Sequence, residues 1–343
     1  SSSENGMTNH EKTRIQALRY ERAGLPADVL EEVTLELPAP GPGEVLVAMR
    51  CAAIHYSDLG LINGTYGKAR TLPAVAGREG VGEVVALGSG VSNFKLGARV
   101  RMPEAAGVWR EAVVAKAAEL SPIPAGLADE QAAMAFINPP TAWRMLHDFV
   151  KLERGDWLVQ NAGTSAVAVL VTQMARHLGL NCISVVIVAS AEIKLKENGA
   201  RVVVTEDSGY EKEPAKLTGG ASIKLALNAV GGESVGRLCR AVAPGGVVVT
   251  YGGVTAEPMR FPTRYLIFND IQLRGFWVDG WMRAHSAAEV QAMMNQIFSL
   301  LREGVIAQPI AARYLLAHWR EALEHAFRAG KGGKVVLVGE WRP

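Results

Sequence analysis

At 343 residues, with 49% hydrophobic and 20% charged side chains, the chain has a globular balance and enough length for two separate cores. A formal charge of +2, with no run of Lys or Arg, gives no case for nucleic acid as a partner, and no apolar stretch is long enough to span a bilayer. Three widely separated cysteines, Cys51, Cys182 and Cys239, make no disulfide framework and point to a reducing compartment. Residues 1–5 are polar and Met7 is expected as the natural start. Glu4, Glu11 and the lack of an apolar core exclude a secretory signal. The expected location is the cytoplasm of a bacterial cell, or the mitochondrial matrix if a transit peptide has been removed.

Residues 14–125 read as strand-rich. Val45, Val47 and Met49 alternate with smaller or polar residues, residues 80–91 form a strand ending in a glycine turn, and residues 99–102 and 112–114 add short strands. Pro38, Pro40, Pro42 and Gly43 predict a rigid turn, as do Pro122 and Pro124. From Asp129 the texture changes to alternating helices and strands, beginning with a helical stretch over 132–149 interrupted by Pro139 and Pro140.

Residues 157–186 then carry the most informative pattern. Trp157, Leu158 and Val159 read as a buried strand, and residues 160–164 as a turn of small residues. Val167, Leu170, Val171, Met174, Ala175 and Leu178 recur at helical spacing before a Gly179 cap, and 182–186 is a second apolar strand. This βαβ unit is the architecture in which a helix N-terminus faces a pyrophosphate. Its glycine pattern is degenerate, with Asn161 and Ala166 at two of the three fingerprint positions. Further apolar strands at 201–204, 226–230, 246–251 and 271–278 predict a parallel, doubly wound α/β sheet. A helix over 290–303 and a strand over 334–339 end the chain. That tail is too small to fold alone and is expected to pack back on the first domain. The expected boundaries are a strand-rich domain over 14–140 completed by 288–343, and a cofactor domain over 141–287.

Five ordered blocks sharpen this reading: residues 72–85 (Leu-Pro-Ala-Val-Ala-Gly-Arg-Glu-Gly-Val-Gly-Glu-Val-Val), 138–145 (Asn-Pro-Pro-Thr-Ala-Trp-Arg-Met), 226–232 (Ala-Leu-Asn-Ala-Val-Gly-Gly), 250–253 (Thr-Tyr-Gly-Gly) and 273–277 (Leu-Arg-Gly-Phe-Trp). Together they resemble the mitochondrial-type trans-2-enoyl-thioester reductases of the medium-chain dehydrogenase/reductase superfamily. The resemblance implies a GroES-like strand-rich catalytic domain beside a doubly wound Rossmann cofactor domain. It also implies NADPH as cofactor and an acyl-CoA or acyl-carrier-protein thioester as substrate in fatty acid synthesis. Residues 271–278 read as the sheet's last strand, and its apolar exposed edge predicts a homodimer paired through the cofactor domain. NADPH:quinone reductases share the scaffold and are the alternative. A catalytically silent nucleotide-binding protein is a third reading.

Zinc-dependent members of that superfamily use a Gly-His-Glu motif, and here Gly77-Arg78-Glu79 puts arginine at the histidine's place. A guanidinium stays protonated and cannot ligate a metal, so the chain reads as zinc-free and His55 as a pocket or hydrogen-bonding residue. Reducing a carbon–carbon double bond conjugated to a thioester needs donors aimed at the thioester oxygen and one acid for the α-carbon. Tyr66, in Asn63-Gly64-Thr65-Tyr66-Gly67, matches the family's proton-donating tyrosine; otherwise it merely packs a loop.

The remaining site residues are likewise implied by the resemblance. Asn138 is placed near the nicotinamide, and Thr164, Ser165, Ala166 and Val167 at the pyrophosphate. Tyr251, Gly252, Gly253 and Val254, with Phe276, Trp277, Val278 and Asp279, flank the nicotinamide, and Lys334 lies near the cofactor. Bland alternatives remain for three of them: Asn138 as a helix cap, Trp277 as core and Lys334 as a solvated charge. The family's Arg-Asp-Arg after the second strand is absent. Residues 187–191 read Ile-Val-Ala-Ser-Ala, leaving Ser190, Lys194 or Lys196 to meet a 2′-phosphate.

Overall fold

A computed structural model describes residues 12–253 and 257–343; the expected start at Met7 and the cofactor contact at Val254 lie outside the described residues. The chain divides into two compact units, one running to Met134 and resuming at Pro309, the other Ala135–Gln308.

In the first unit, β1 (Thr13–Tyr20) is flanked antiparallel by β2 (Glu31–Leu37) and, further along the chain, by the two-residue strand Ala74–Val75. The long strand β3 (Glu44–Ala53) is the spine of the main sheet. Its nearly continuous burial reflects packing on both faces, unlike the alternating β2. The two-residue strand counts as β4, and β5 (Gly80–Leu87), β6 (Arg99–Arg101) and β7 (Ala112–Lys116) follow, with β5 and β7 both pairing antiparallel to β3.

The second unit contains β8 (Trp157–Gln160), β9 (Asn181–Val186), β10 (Val202–Thr205), β11 (Ile223–Asn228), β12 (Val247–Thr250) and β13 (Gln272–Gly275). All neighbours are parallel in the order β10-β9-β8-β11-β12-β13. The order reverses between β8 and β11, and in such sheets ligands sit outside the carboxyl ends of the strands at the reversal. The turns after β8, β9, β11, β12 and β13 all leave that edge.

The chain then returns to the first unit as β14 (Ile310–Leu315) and β15 (Lys334–Val338). β15 pairs antiparallel with β3, setting Val336 opposite Ala53.

Three local expectations need correcting. The tail does not return whole: the helix Ala287–Arg302 belongs to the second unit, so the boundaries fall at 134/135 and 308/309 and not at 140 and 288. Its buried face, including Met293, Ile297 and Phe298, meets that unit's own core, with Phe298 edge-on to Phe136 at 5.7 Å between ring centres. Gln173 also holds both the amide and the carbonyl of Ala307, at 3.0 and 3.1 Å. Secondly, the prolines do not interrupt a helix but open one. Asn138–His147 starts at the Pro-Pro pair, where the missing N–H groups would have no intrahelical acceptor. Thirdly, the last parallel strand is Gln272–Gly275, and Val278 already begins the helix Val278–Ala284.

Candidate active site

Within the second unit the polar residues at the strand ends form one buried network. Asn161, fully buried just after β8, donates to Asn228 Oδ1 (2.7 Å) and Ser234 Oγ (3.0 Å), while its own Oδ1 accepts the Ala229 amide (2.8 Å). Asn228 donates onward to Thr250 Oγ1 at 3.1 Å, and Glu206 accepts from Ser234 Oγ (2.5 Å) and Arg237 Nε (2.9 Å). The network fastens the turn after β8 to the turns after β10, β11 and β12.

That turn is shaped as a cradle. Ala162 takes φ 48°, a left-handed conformation that costs a non-glycine residue of order 1 kcal/mol or more. Gly163 lies so close to β9 that a Cβ there would stand 3.0 Å from the Val185 carbonyl and 3.1 Å from Ser184 Cβ. Ser165 caps the twelve-residue helix Ala166–His177, accepting the Ala168 amide on its side chain. The amides of Ala166 and Val167 belong to the first turn, which has no acceptors of its own, and Thr164 is exposed beside them. Two buried polar atoms at this edge, Gln160 Oε1 and Tyr251 Oη, have no hydrogen-bond partner. Burial pushes the Tyr251 hydroxyl up to about 12. A close-packed glycine, a strained turn, a capped helix start and orphaned polar atoms fit a dinucleotide pyrophosphate.

Asn138 is buried at the start of its helix and donates to Gln308 Oε1 at 2.9 Å, so its side chain is not spent as a helix cap. Phe276 leaves β13 with its amide on the Thr250 carbonyl (2.9 Å) and meets Phe149 edge-on at 5.8 Å. Trp277 is 41% exposed under the Arg283 guanidinium (4.7 Å), so it is not core. Gly252 and Gly253 are exposed, Val278 is buried and Asp279 half-buried. After β9, Ile187 and Val188 are 86% and 59% exposed and Ser190 is exposed next to them, an apolar shelf with one hydroxyl where the family carries arginine.

The first unit holds Tyr66 and Lys334. Lys334, which the sequence could not distinguish from a surface charge, is half-buried. Its ammonium donates to the Ile54 carbonyl (2.7 Å) and to His55 Nδ1 (2.8 Å). With Nδ1 accepting, His55 carries its proton on Nε2 and donates it to Glu79 Oε2 at 2.7 Å. The His55 amide donates to Asp58 Oδ2 at 2.7 Å. Burial, and then the Lys334 charge, hold the His55 imidazole well below its ordinary range, while burial lowers Lys334 to about 8 and raises Asp58. Arg78, 1% exposed, runs past this cluster to Glu104, Ser57 and Tyr66. Among the described residues no group of three or more His, Cys, Asp or Glu side chains is placed to hold a metal ion. His55 is the hydrogen-bonding residue expected from the sequence, whereas Arg78 was informative there only about zinc; no local pattern marks roles for Asp58, Glu79 or Gln308.

The alcohol dehydrogenase GroES-like domain family matches residues 41–125, and the zinc-binding dehydrogenase family matches 166–299. The mitochondrial enoyl-[acyl-carrier-protein] reductase of Mus musculus is 38% identical over 334 residues, 96% of this chain and 90% of that protein. The chain belongs to the mitochondrial-type enoyl-thioester reductase family. Among solved structures of this reductase family, the Etr1p/NADP/crotonyl-CoA complex is similar at 30% identity and TM-score 0.87, covering 95% of this chain and 100% of that one. A putative NADPH:quinone reductase from Bacillus thuringiensis is similar too, at 27% identity and TM-score 0.87, covering 96% of this chain and 100% of that one.

The buried network makes a direct prediction. Across pH 5.5–8 the His55 imidazole stays neutral with its proton on Nε2, so its ¹⁵N resonances, assigned with His55→Gln, do not titrate. The unfolded chain takes up that proton below about pH 6.5 and the folded one does not, so His55 makes stability fall as pH drops through that value. An imidazole that titrates near 6.5 in the folded protein contradicts this.

Proposed function

We propose that the protein reduces the 2,3 double bond of trans-2-enoyl thioesters with NADPH. The observation that carries this reading is the match along 96% of the chain to enoyl-[acyl-carrier-protein] reductases. The turn after β8 and the helix Ala166–His177 would hold the pyrophosphate through Thr164, Ser165 and the Ala166 and Val167 amides. Asn138, Tyr251, Gly252, Gly253 and residues 276–279 would border the nicotinamide end. Bound NADPH supplies the hydride that the β-carbon receives. Charge then collects on the thioester oxygen, and Tyr66 gives its hydroxyl proton to the α-carbon, which leaves one new C–H bond at each carbon. A phenol, with an ordinary pKa of about 10, stays protonated at neutral pH and is ready to do so. The substrate is an acyl thioester of CoA or of acyl carrier protein. Three buried unpaired cysteines fit a reducing compartment, the mitochondrial matrix of the named relatives or a bacterial cytoplasm. No helix among the described residues is long and apolar enough to cross a membrane.

The substitution that separates this reading from quinone reduction is Tyr66→Phe. It keeps the ring, so stability changes little, but crotonyl-CoA reduction falls by about two orders of magnitude or more. Quinone reduction, whose oxygen-centred product takes its proton from water, is spared. Full crotonyl-CoA turnover in Tyr66→Phe removes the tyrosine from the mechanism, and a wild type that reduces quinones well and enoyl thioesters hardly at all makes the protein a quinone reductase.

Cofactor choice rests on the shelf at 187–191. Ser190 is the one hydroxyl there and Lys194 the cation that follows, so discrimination for the 2′-phosphate is expected in favour of NADPH but narrow. Comparing kcat/KM for NADPH and NADH decides it, and a value for NADH equal to or above that for NADPH shows that phosphate recognition is lost.

We also propose a homodimer paired through the β13 edge. Its outer backbone lies at the end of the sheet, and the preceding helix Arg264–Asn269 leaves Ile267 and Phe268 69% and 78% exposed. An apolar face beside an unpaired strand edge is an expensive surface to leave in water. Light scattering after size exclusion at micromolar concentration should give twice the 36.7 kDa chain mass; the monomer mass refutes it.

A further inference from the structure

We propose that Arg78 is a positioning residue for Tyr66, fixing the phenol's orientation and easing its loss of a proton; this rests on reading Tyr66 as the proton donor. The guanidinium is held on two sides. Its Nε donates to Glu104 Oε1 at 2.8 Å, and its Nη1 reaches Ser57 Oγ at 3.0 Å and Tyr66 Oη at 3.4 Å. Its carbon stands 5.3 Å from the centre of the Tyr66 ring. A planar, delocalised cation tied along its edge cannot swing away as a lysine would.

The other side of the ring is fixed as well. Tyr66 donates its amide to the Gly60 carbonyl at 3.2 Å, and its Cβ packs so close to Gly60 that a methyl there would stand 2.5 Å away. The helix Tyr56–Asn63 therefore offers a bare backbone face to one side of the tyrosine and presents Ser57 to the arginine on the other. The phenol is clamped between a glycine and a buried cation. When its proton leaves, the phenolate that remains faces a charge that is already in place, and no solvent has to reorganise. Glu104, 38% exposed at its side chain, balances the arginine from its Nε side.

The test labels the tyrosines with ¹³C at Cζ, assigns Tyr66 by its absence in Tyr66→Phe, and titrates wild type, Arg78→Gln and Arg78→Lys. Tyr66 is expected to ionise at higher pH in Arg78→Gln than in wild type, with Arg78→Lys between them. In the same variants kcat for crotonyl-CoA falls about ten- to a hundredfold for Gln and less for Lys, while the KM for NADPH stays within about twofold. The alkaline limb of the kcat profile moves with the NMR titration. Superimposable Tyr66 titrations in wild type and Arg78→Gln overturn the inference, whatever the activities. Shifted titrations together with a fully active Tyr66→Phe enzyme leave the contact real, overturn the donor assignment and remove the catalytic part of this inference. If Arg78→Gln does not fold, Arg78→Lys decides alone: it keeps the charge and loses the fork, so undiminished kcat overturns the positioning role.

Discussion

The first unit is organised by the need to hold charge without water. Asp58 and Arg78 are 1% exposed, Glu79 is fully buried and His55 5% exposed, all within a stretch of sequence that connects β3 to β5. Removing such groups from solvent costs several kcal/mol each unless every one finds a partner of good geometry. Asp58 takes the His55 amide from its own turn, but the imidazole's partner comes from far away. The register that sets Val336 opposite Ala53 carries Lys334 opposite His55, so the last strand delivers the cation that fixes the imidazole. The return of the C-terminal strand is thus tied to the polar cluster as much as to the apolar core. Val335 and Leu337, both fully buried, join that core from the same strand.

The second unit solves a different problem with the same economy. Six parallel strands are largely apolar, and the polar residues Gln160, Asn228 and Thr250 sit at the carboxyl ends of β8, β11 and β12. There Asn161 does with a side chain what a glycine-rich fingerprint does with bare backbone. It bridges the first and fourth strands of the sheet across the point where strand order reverses, and it frees Ala162 and Gly163 to press the turn against β9. The degenerate glycine pattern is a different way of holding the same turn.

Much of this was legible in the sequence, and the limits have physical causes. Continuous apolar runs separated by helical periodicity announce a parallel sheet, so β8 to β13 were read in order. The apolar stripe of Ala287–Arg302 announces a helix but not which core receives it, because an amphipathic face is equally satisfied by either. Pro139 and Pro140 mark a helix boundary without saying whether they end one helix or begin the next. The turn at Thr164 and the helix start at Ser165 needed only local order, small residues before an apolar helical stripe. The contacts of Lys334 with His55, 279 residues apart, and of Asn138 with Gln308 depend on strand register and on the packing of chain segments distant in sequence, which no local pattern encodes. Arg78 was legible as a residue that cannot bind zinc; its burial, and the tyrosine beside it, were not.

The position of Arg78 also clarifies how one scaffold serves two chemistries. A metal ion at a carbonyl acts as a Lewis acid: it binds the oxygen itself and withdraws electron density as hydride arrives. A guanidinium supplies positive charge at a fixed place but offers no empty orbital, and its hydrogen bonds are committed to Glu104, Ser57 and Tyr66. Such a group does little for an alcohol or simple carbonyl. It suits a reaction whose demand is a proton delivered to carbon, where the acid becomes an anion as it acts and a nearby fixed cation lowers the cost of that change. An arginine in place of a ligand histidine offers no lone pair to a metal, and beside a tyrosine read as the proton donor it would favour the phenolate, which is the demand that conjugate reduction of an enoyl thioester makes.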